Sequence, residues 1–188
     1  ITYSEIRLQL GVLEKELWLY RALNGRTIVF SKDIAEKSTT LTYGYDVALG
    51  IASIIGKETA FGEAFHITSD ESYTWKEILE IYLDTIEKKT GMRPKVLLLD
   101  KSPHLEWIGA KWQVILDRYY NRRFDNSKIQ QYIDTSQFVR TESGLISCLE
   151  SFLCHPQFKK MGWGIQGTYD RITGEWAPFS EILSLIHI

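Results

Sequence analysis

Val96-Leu97-Leu98-Leu99 is apolar at every position, between Lys95 and Asp100. A strand with one wet face alternates apolar and polar residues. An unbroken apolar strand is therefore expected to be parallel and covered on both faces. Thr27-Ile28-Val29-Phe30 and Ala64-Phe65-His66-Ile67-Thr68 read as two more short strands, and helical patterns separate all three. Thr74-Trp75-Lys76-Glu77 has capping-box spacing. The helix it opens aligns Ile78, Leu79, Tyr82, Leu83 and Ile86 on one face, and Gly91 stops it. This order predicts an α/β fold, a helix-rich lobe with a few short, mostly parallel strands.

Ser4 is placed to cap a helix running to Asn24-Gly25, with Ile6, Leu10, Leu13 and Leu17 facing inward. Gly11 inside that helix costs about 1 kcal/mol relative to Ala, so it marks a close approach by ligand or backbone. Ser31 to Thr40 is polar and reads as a surface loop. From Asp46 to Ile55 the pattern is helical and apolar on nearly every side. That helix is expected to be buried on more than one side, with the Asp46 carboxylate accepting its first free amides. A helical stretch starts at Ser102-Pro103, another covers Trp112 to Tyr120, and a short one opens at Asp125-Asn126-Ser127-Lys128. The last runs from Thr141 to Cys154, before His155-Pro156. Residues 1–158 form the main unit, and 159–188, rich in Gly and aromatics, form a tail of unassigned structure.

The 22 Lys and Arg nearly balance 24 Asp and Glu, with signs mixed along the chain, so a strongly basic nucleic-acid binder is not the default. A 44% hydrophobic and 13% aromatic composition supplies a core and argues against disorder. Cys148 and Cys154 are too few for a disulfide scaffold or a four-Cys zinc site, and point to a reducing, cytoplasmic compartment. No apolar run approaches the roughly 20 residues that span a bilayer. The chain begins at Ile1 rather than Met and reads as a piece of something longer.

Chemistry-bearing motifs are sparse. His66, His104, His155 and His187 are far apart, and no metal site is assigned. A dinucleotide cradle needs a glycine turn between a strand and a helix. The cluster Gly162-Trp163-Gly164-Ile165-Gln166-Gly167 follows Lys159-Lys160-Met161, not a strand, and reads as a loop using Gly for positive φ. No Tyr has a Lys four residues on, and no G-x-S-x-G elbow occurs. No catalytic, cofactor-binding or metal residue is therefore assigned. The Trp residues read as core rather than as a ligand box. The basic aromatic segment Arg118-Tyr119-Tyr120-Asn121-Arg122-Arg123-Phe124-Asp125 is the main polar-ligand candidate, because Arg forks suit phosphate or carboxylate. Arg7, beside Tyr3 and Glu5, is a second.

Several segments recur in a fixed order: Ile1-Thr2-Tyr3; Gly25 to Phe30; Thr42-Tyr43-Gly44-Tyr45-Asp46-Val47-Ala48; Gly62 to Ile67 followed by Thr74 to Leu79; and Asp125 to Ile129 followed by Thr141 to Leu145. Over residues 1–154 this order resembles the later half of extended short-chain dehydrogenases/reductases, the NAD-dependent epimerase/dehydratase family. The resemblance implies that an N-terminal Rossmann domain and a catalytic Tyr/Lys pair precede Ile1. This chain would be the substrate-binding portion of an enzyme acting on a nucleotide-linked sugar or similar small molecule. NAD(P) would serve the parent protein, with none bound by this chain and no turnover by it alone. Tyr3, Arg7, Phe30 and Arg122 or Arg123 fall where the family meets its substrate. Where many nucleotide-sugar members carry an Arg for the diphosphate, this chain has Lys37-Ser38-Thr39-Thr40-Leu41. His66 stands for the usual Asn and Gly44 for Val. The strand around Phe65 would extend the sheet of the missing domain, and in its absence the chain is expected to be marginally stable, to form a homodimer through that edge, or to be a stable proteolytic remnant. The alternative is a non-catalytic nucleotide- or RNA-binding interaction module on the same fold.

Overall fold

The computed structural model describes residues 1–106, 108–158 and 161–186, so Trp107, Lys159, Lys160, His187 and Ile188 lie outside the described residues. The chain runs β1 (Thr2–Tyr3), α1 (Lys15–Leu23), β2 (Ile28–Ser31), α2 (Lys32–Ala35), β3 (Ser38–Thr39), β4 (Thr42–Tyr43) and α3 (Gly44–Ile54). It continues through β5 (Tyr73–Thr74), α4 (Trp75–Thr90), β6 (Val96–Leu99), α5 (Ile108–Gln113), a π turn (Val114–Arg118), α6 (Thr141–Cys154), α7 (Trp163–Thr173) and α8 (Phe179–Ile186). The fold is the α/β, helix-rich lobe expected. β1 pairs with β4 and β2 with β6, both parallel, while β3 and β5 pair antiparallel.

The capping box forms as read. Thr74 Oγ1 accepts from the Glu77 amide at 3.2 Å, and Glu77 Oε2 accepts from the Thr74 amide at 2.7 Å. Gly91 closes α4 in the left-handed region at φ 76°. The inward face Ile78, Leu79, Tyr82, Leu83 and Ile86 is buried, with the Tyr82 ring stacked 4.6 Å from Trp18.

Five local expectations are corrected. The first helix starts at Lys15 rather than Ser4, because Ser4 to Leu13 spends its backbone hydrogen bonds in two tight turns. Residues 31–40 are not simply a loop but hold α2 and β3. Ala64 to Thr68 is extended but has no strand partner among the described residues. β6 is parallel as expected yet is not covered on both faces: Leu97 and Leu98 are each 36% exposed, since its sheet is only two strands wide. α3 is not enclosed either. Only Asp46 and Gly50 are buried along it, while Tyr45, Leu49, Ile51 and Ile55 stand exposed. Asp46 accepts instead from the Val139 amide at 2.9 Å, tying α3 to the segment before α6.

Further departures are smaller. The helix placed over Trp112 to Tyr120 is split into α5 and the π turn, and the short helix after Asp125 is a 3-10 turn at Ile129–Gln131. Trp18 and Trp75 are core, but Trp112 and Trp176 are exposed. The glycine cluster is the start of α7 rather than a loop.

α7 is held to α1 by a buried cation. Arg21 is fully buried, and its Nη1 donates to Asp170 Oδ1 at 2.5 Å and Gln166 Oε1 at 3.1 Å. Nη2 donates to Thr173 Oγ1 at 3.1 Å and Nε to the Thr27 carbonyl at 2.8 Å. A second tie joins His104, in the turn Pro103–Glu106, to Tyr169 at 2.5 Å. Burial pushes the His104 imidazole down to about 4.

Two outcomes follow for stability. Asp170→Ala leaves the buried Arg21 charge with only the Glu175 carboxylate, 3.9 Å away, which costs about 3 kcal/mol. Urea unfolding should register that loss, and a change below about 1 kcal/mol would mean α7 is not anchored through Arg21. His104 binds its proton less readily folded than unfolded, so stability is complete above about pH 6.5 and falls toward pH 4, by about 1 kcal/mol per pH unit. His104→Gln should flatten that part of the pH profile.

Candidate functional site

After β1 the chain folds back twice before α1. Ser4 and Arg7 exchange backbone hydrogen bonds of 3.2 and 3.0 Å, and Leu10 and Leu13 exchange two of 2.8 Å. Gly11 lies in the second turn at φ 61°, and a Cβ there would stand 2.8 Å from Phe30 Cε2. Only glycine satisfies both constraints. The close approach expected at Gly11 is therefore made by the Phe30 ring.

The turned-out carbonyl of Gly11 accepts from Arg118 Nε at 2.9 Å. Arg118 is buried, with its guanidinium 5.6 Å over the Trp75 ring. Burial holds its pKa down to about 10, against the opposing pull of Asp117, so it stays charged at neutral pH. Asp117 touches both Arg118 and Arg122. Arg122 Nη2 donates to Thr39 Oγ1 at 2.9 Å, and its backbone amide donates to the Ser38 carbonyl at 3.0 Å. Burial lowers the Arg122 pKa, and its Nε is buried with no acceptor. The segment 37–41, which has no Arg of its own, thus receives one from the far side of the chain.

Arg7 completes the patch. It is exposed, 3.6 Å from Glu14, and its charge is felt at Arg118 together with that of Arg122. The Ile1 backbone nitrogen lies beside them and donates to the Thr40 carbonyl at 3.1 Å.

The expected site residues divide. Arg7 and Arg122 share one electrostatic field, and Arg123 is exposed next along the chain. Tyr3 and Phe30 are core side chains, 1% and 3% exposed. The Tyr3 hydroxyl packs where a Cβ on Gly144 of α6 would be, and burial drives its pKa up. Tyr43 is pushed up to about 12 by its 2.7 Å hydrogen bond to Glu5 and by burial. Neither phenol is an acid or base at neutral pH. Three fixed or tethered guanidiniums facing two carboxylates suit holding an anion rather than moving a proton. Sequence reading placed Arg118 in a basic segment but missed its role as the buried post that joins this segment to Gly11. Asp117, directly before it, was the available signal.

The residues present do not make a dinucleotide cradle. Gly162, Gly164 and Gly167 have G-x-G-x-x-G spacing, but they open α7 without a preceding strand. A Cβ on Gly164 or Gly167 would meet nothing within 4 Å, so no close backbone approach calls for glycine there. No group of three or more His, Cys, Asp or Glu among the described residues is arranged to hold a metal ion.

No family model and no curated protein matches the chain. Solved structures do. UDP-glucuronic acid 4-epimerase from Bacillus cereus, in complex with UDP-glucuronic acid and NAD, aligns at TM-score 0.56 and 18% identity over 81% of this chain. The chain has part of the epimerase fold. Epimerase Mth375 from Methanothermobacter thermautotrophicus aligns at 0.54 and 19% over 79% of the chain. A GDP-L-fucose synthetase from Naegleria fowleri bound to NADP aligns at 0.54 and 13% over 81%. The chain spans only 43%, 38% and 43% of these proteins, less than half of each. The fold implied by the epimerase/dehydratase resemblance is thus the fold present.

Proposed function

We propose that this chain is the substrate-binding portion of an NAD(P)-dependent, sugar-nucleotide epimerase/dehydratase-like oxidoreductase, and that it turns nothing over alone. The patch of Arg7, Arg118 and Arg122, carried on part of an epimerase fold, is the observation that carries this reading. A nucleotide diphosphate would lie against Arg122 and Arg7, with Arg123 at the rim. Tyr3 and Phe30 act from the core by holding the turns that bear Arg7 and Gly11. Binding energy gathered at the nucleotide end serves to place the sugar carbon for chemistry supplied elsewhere.

NAD(P) and the acid/base pair belong, in this reading, to a Rossmann domain outside the chain. Two features support a missing neighbour. α3 and the turn after it expose the large apolar side chains Tyr45, Leu49, Ile51 and Ile55, and Phe61 farther along is exposed as well. Beside it the backbone of residues 64–67 makes no hydrogen bond among the described residues. No helix among the described residues is long and apolar enough to cross a membrane, and both cysteines are free thiols, in keeping with a cytoplasmic setting. A second copy is the alternative cover for α3.

A second reading has one observation in its favour. Phe65 lies under Lys128 at 5.0 Å and His66 stands 5.0 Å from Phe124, beside exposed Arg123. Aromatics interleaved with cations suit stacking of single-stranded RNA bases.

Calorimetry with UDP-glucuronic acid separates the two. The chain should bind it without NAD, and Arg122→Ala should weaken binding by about 1.5–3 kcal/mol, the range for a hydrogen bond to a charged group. Tighter binding to a short RNA, unaffected by the UDP-sugar, would replace the first reading with the second. Scattering provides an independent check on α3. The isolated chain should self-associate, and Ile55→Asp should return it to a monomer with stability unchanged within about 0.5 kcal/mol, as for a surface site. A wild-type chain that is monomeric at high concentration would remove the support drawn from α3.

A further inference from the structure

Two carboxylates stand against the cationic patch, and they hold it with different strength. Glu14 is 3.6 Å from Arg7, and the two side chains are 45% and 52% exposed. An ion pair that open to water is weak, so Arg7 is available to a guest. Asp117 is placed more firmly. Its Oδ2 contacts Arg118 Nη1, and its Oδ1 contacts Arg122 Nη1.

The two arginines differ in what else they have. Arg118 is buried, and the Gly11 carbonyl and the Trp75 ring fix it as well. The Arg122 side chain reaches solvent, 19% exposed against 3% for Arg118. Its place does not depend on Asp117. The Arg122 amide donates to the Ser38 carbonyl at 3.0 Å, and the Arg122 carbonyl accepts from Thr40 Oγ1 at 3.3 Å and Ser72 Oγ at 3.4 Å. Nη2 is held separately by Thr39 Oγ1 at 2.9 Å. Arg122 therefore stays where it is when Asp117 Oδ1 leaves it. The Asp117 side chain is itself 32% exposed, so the freed oxygen returns to water rather than being stranded as a buried charge.

We propose that Asp117 is an internal competitor of the substrate: it occupies Arg122 Nη1, and a phosphate oxygen of the guest takes that nitrogen from it while Asp117 stays on Arg118. The inference rests on the substrate-binding reading of the patch. Asp117 touches no guest. It acts through Arg122, and it sets affinity by how readily it gives that residue up. The exchange favours phosphate esters over carboxylates, because a second carboxylate gains nothing by replacing the first, whereas phosphate brings more charge and more acceptor oxygens to the guanidinium.

Calorimetry tests this, with UDP-glucuronic acid and with inorganic pyrophosphate, on the 188-residue chain and its Asp117→Asn variant. Asparagine keeps one acceptor for Arg118 and removes the charge. The variant should bind both ligands about fivefold more tightly, the scale of one partly exposed ion pair. Equal or weaker binding would overturn the proposal, since a carboxylate that only positions Arg122 is not lost with a gain in affinity. A second measurement needs no variant. The carboxyl 13C resonance of Asp117 in the wild-type chain should move as pyrophosphate saturates, and a resonance that stays fixed while the anion binds would overturn the proposal too. The two readings fail separately. UDP-glucuronic acid bound no more tightly than pyrophosphate, with the fivefold gain intact, removes the sugar-nucleotide reading and leaves Asp117 its role. Tight binding of UDP-glucuronic acid that Asp117→Asn weakens does the reverse. No binding of either anion to either form removes both.

Discussion

Phe30 points from β2 toward Gly11, where a Cβ would come within 2.8 Å of its ring. That contact ties the core to the cationic patch. β2 is buried at every position and runs parallel to β6, so the Phe30 ring is fixed by the sheet. The ring admits only glycine at position 11, the glycine presents its carbonyl to Arg118, and Arg118 shares Asp117 with Arg122. Arg122 then reaches Thr39 beside the β3–β5 pair. A place in the patch is thus set through five side chains and one backbone turn, starting from an apolar strand with no polar role of its own. Interior packing is tight enough to transmit such constraints, because close-packed side chains have discrete rather than continuous alternatives.

The strand pairs impose a second constraint. Both parallel sheets are only two strands wide among the described residues, and a parallel sheet normally needs both faces covered. β2 has α1 and α2 against it, but β6 shows Leu97 and Leu98 to solvent. α3 has the composition of an interior helix and the exposure of a surface one. Both mismatches have the same sense: apolar side chains whose pattern suits an interior stand at the surface.

What the sequence made legible was local and strongly signed. The Thr74–Glu77 box, the Gly91 stop, the inward face of α4 and the parallel character of Val96–Leu99 are each dictated by neighbours in the chain or by an unbroken apolar run. What it concealed was settled at long range. Leu8, Leu10 and Leu13 are buried as a helix would bury them, but turns do it, because Trp18 Nε1 donates to the Leu8 carbonyl at 3.0 Å and Arg118 takes the Gly11 carbonyl. Residues 64–67 have the β-strand pattern yet pair with no strand among the described residues, and no local signal reports whether a strand will find a partner. Arg21 is a cation on an otherwise apolar helix face, buried there because its partners Gln166, Asp170 and Thr173 lie about 150 residues on, in the tail whose structure the pattern left unassigned. In the candidate site, residue type was legible and register was not. The basic segment was visible, but which of its arginines turns inward depends on Gly11 and Asp117.

Three buried or half-buried arginines show how a structural cation differs from one with capacity to spare. Arg21 gives every nitrogen an acceptor, one of them the Asp170 carboxylate. Arg118 is nearly as buried but relies on one carbonyl, one aromatic face and a carboxylate that it shares, and burial depresses its pKa accordingly. Arg122 goes a step further: Asp117 is divided between it and Arg118, and its Nε has nothing. Leaving a buried donor unpaired costs on the order of 1–3 kcal/mol, a cost that a purely structural arginine has no reason to carry. In the substrate-binding reading proposed above, an anion that supplied the missing acceptor would recover that cost on binding, which singles out the incompletely satisfied Arg122 rather than the well-anchored Arg118.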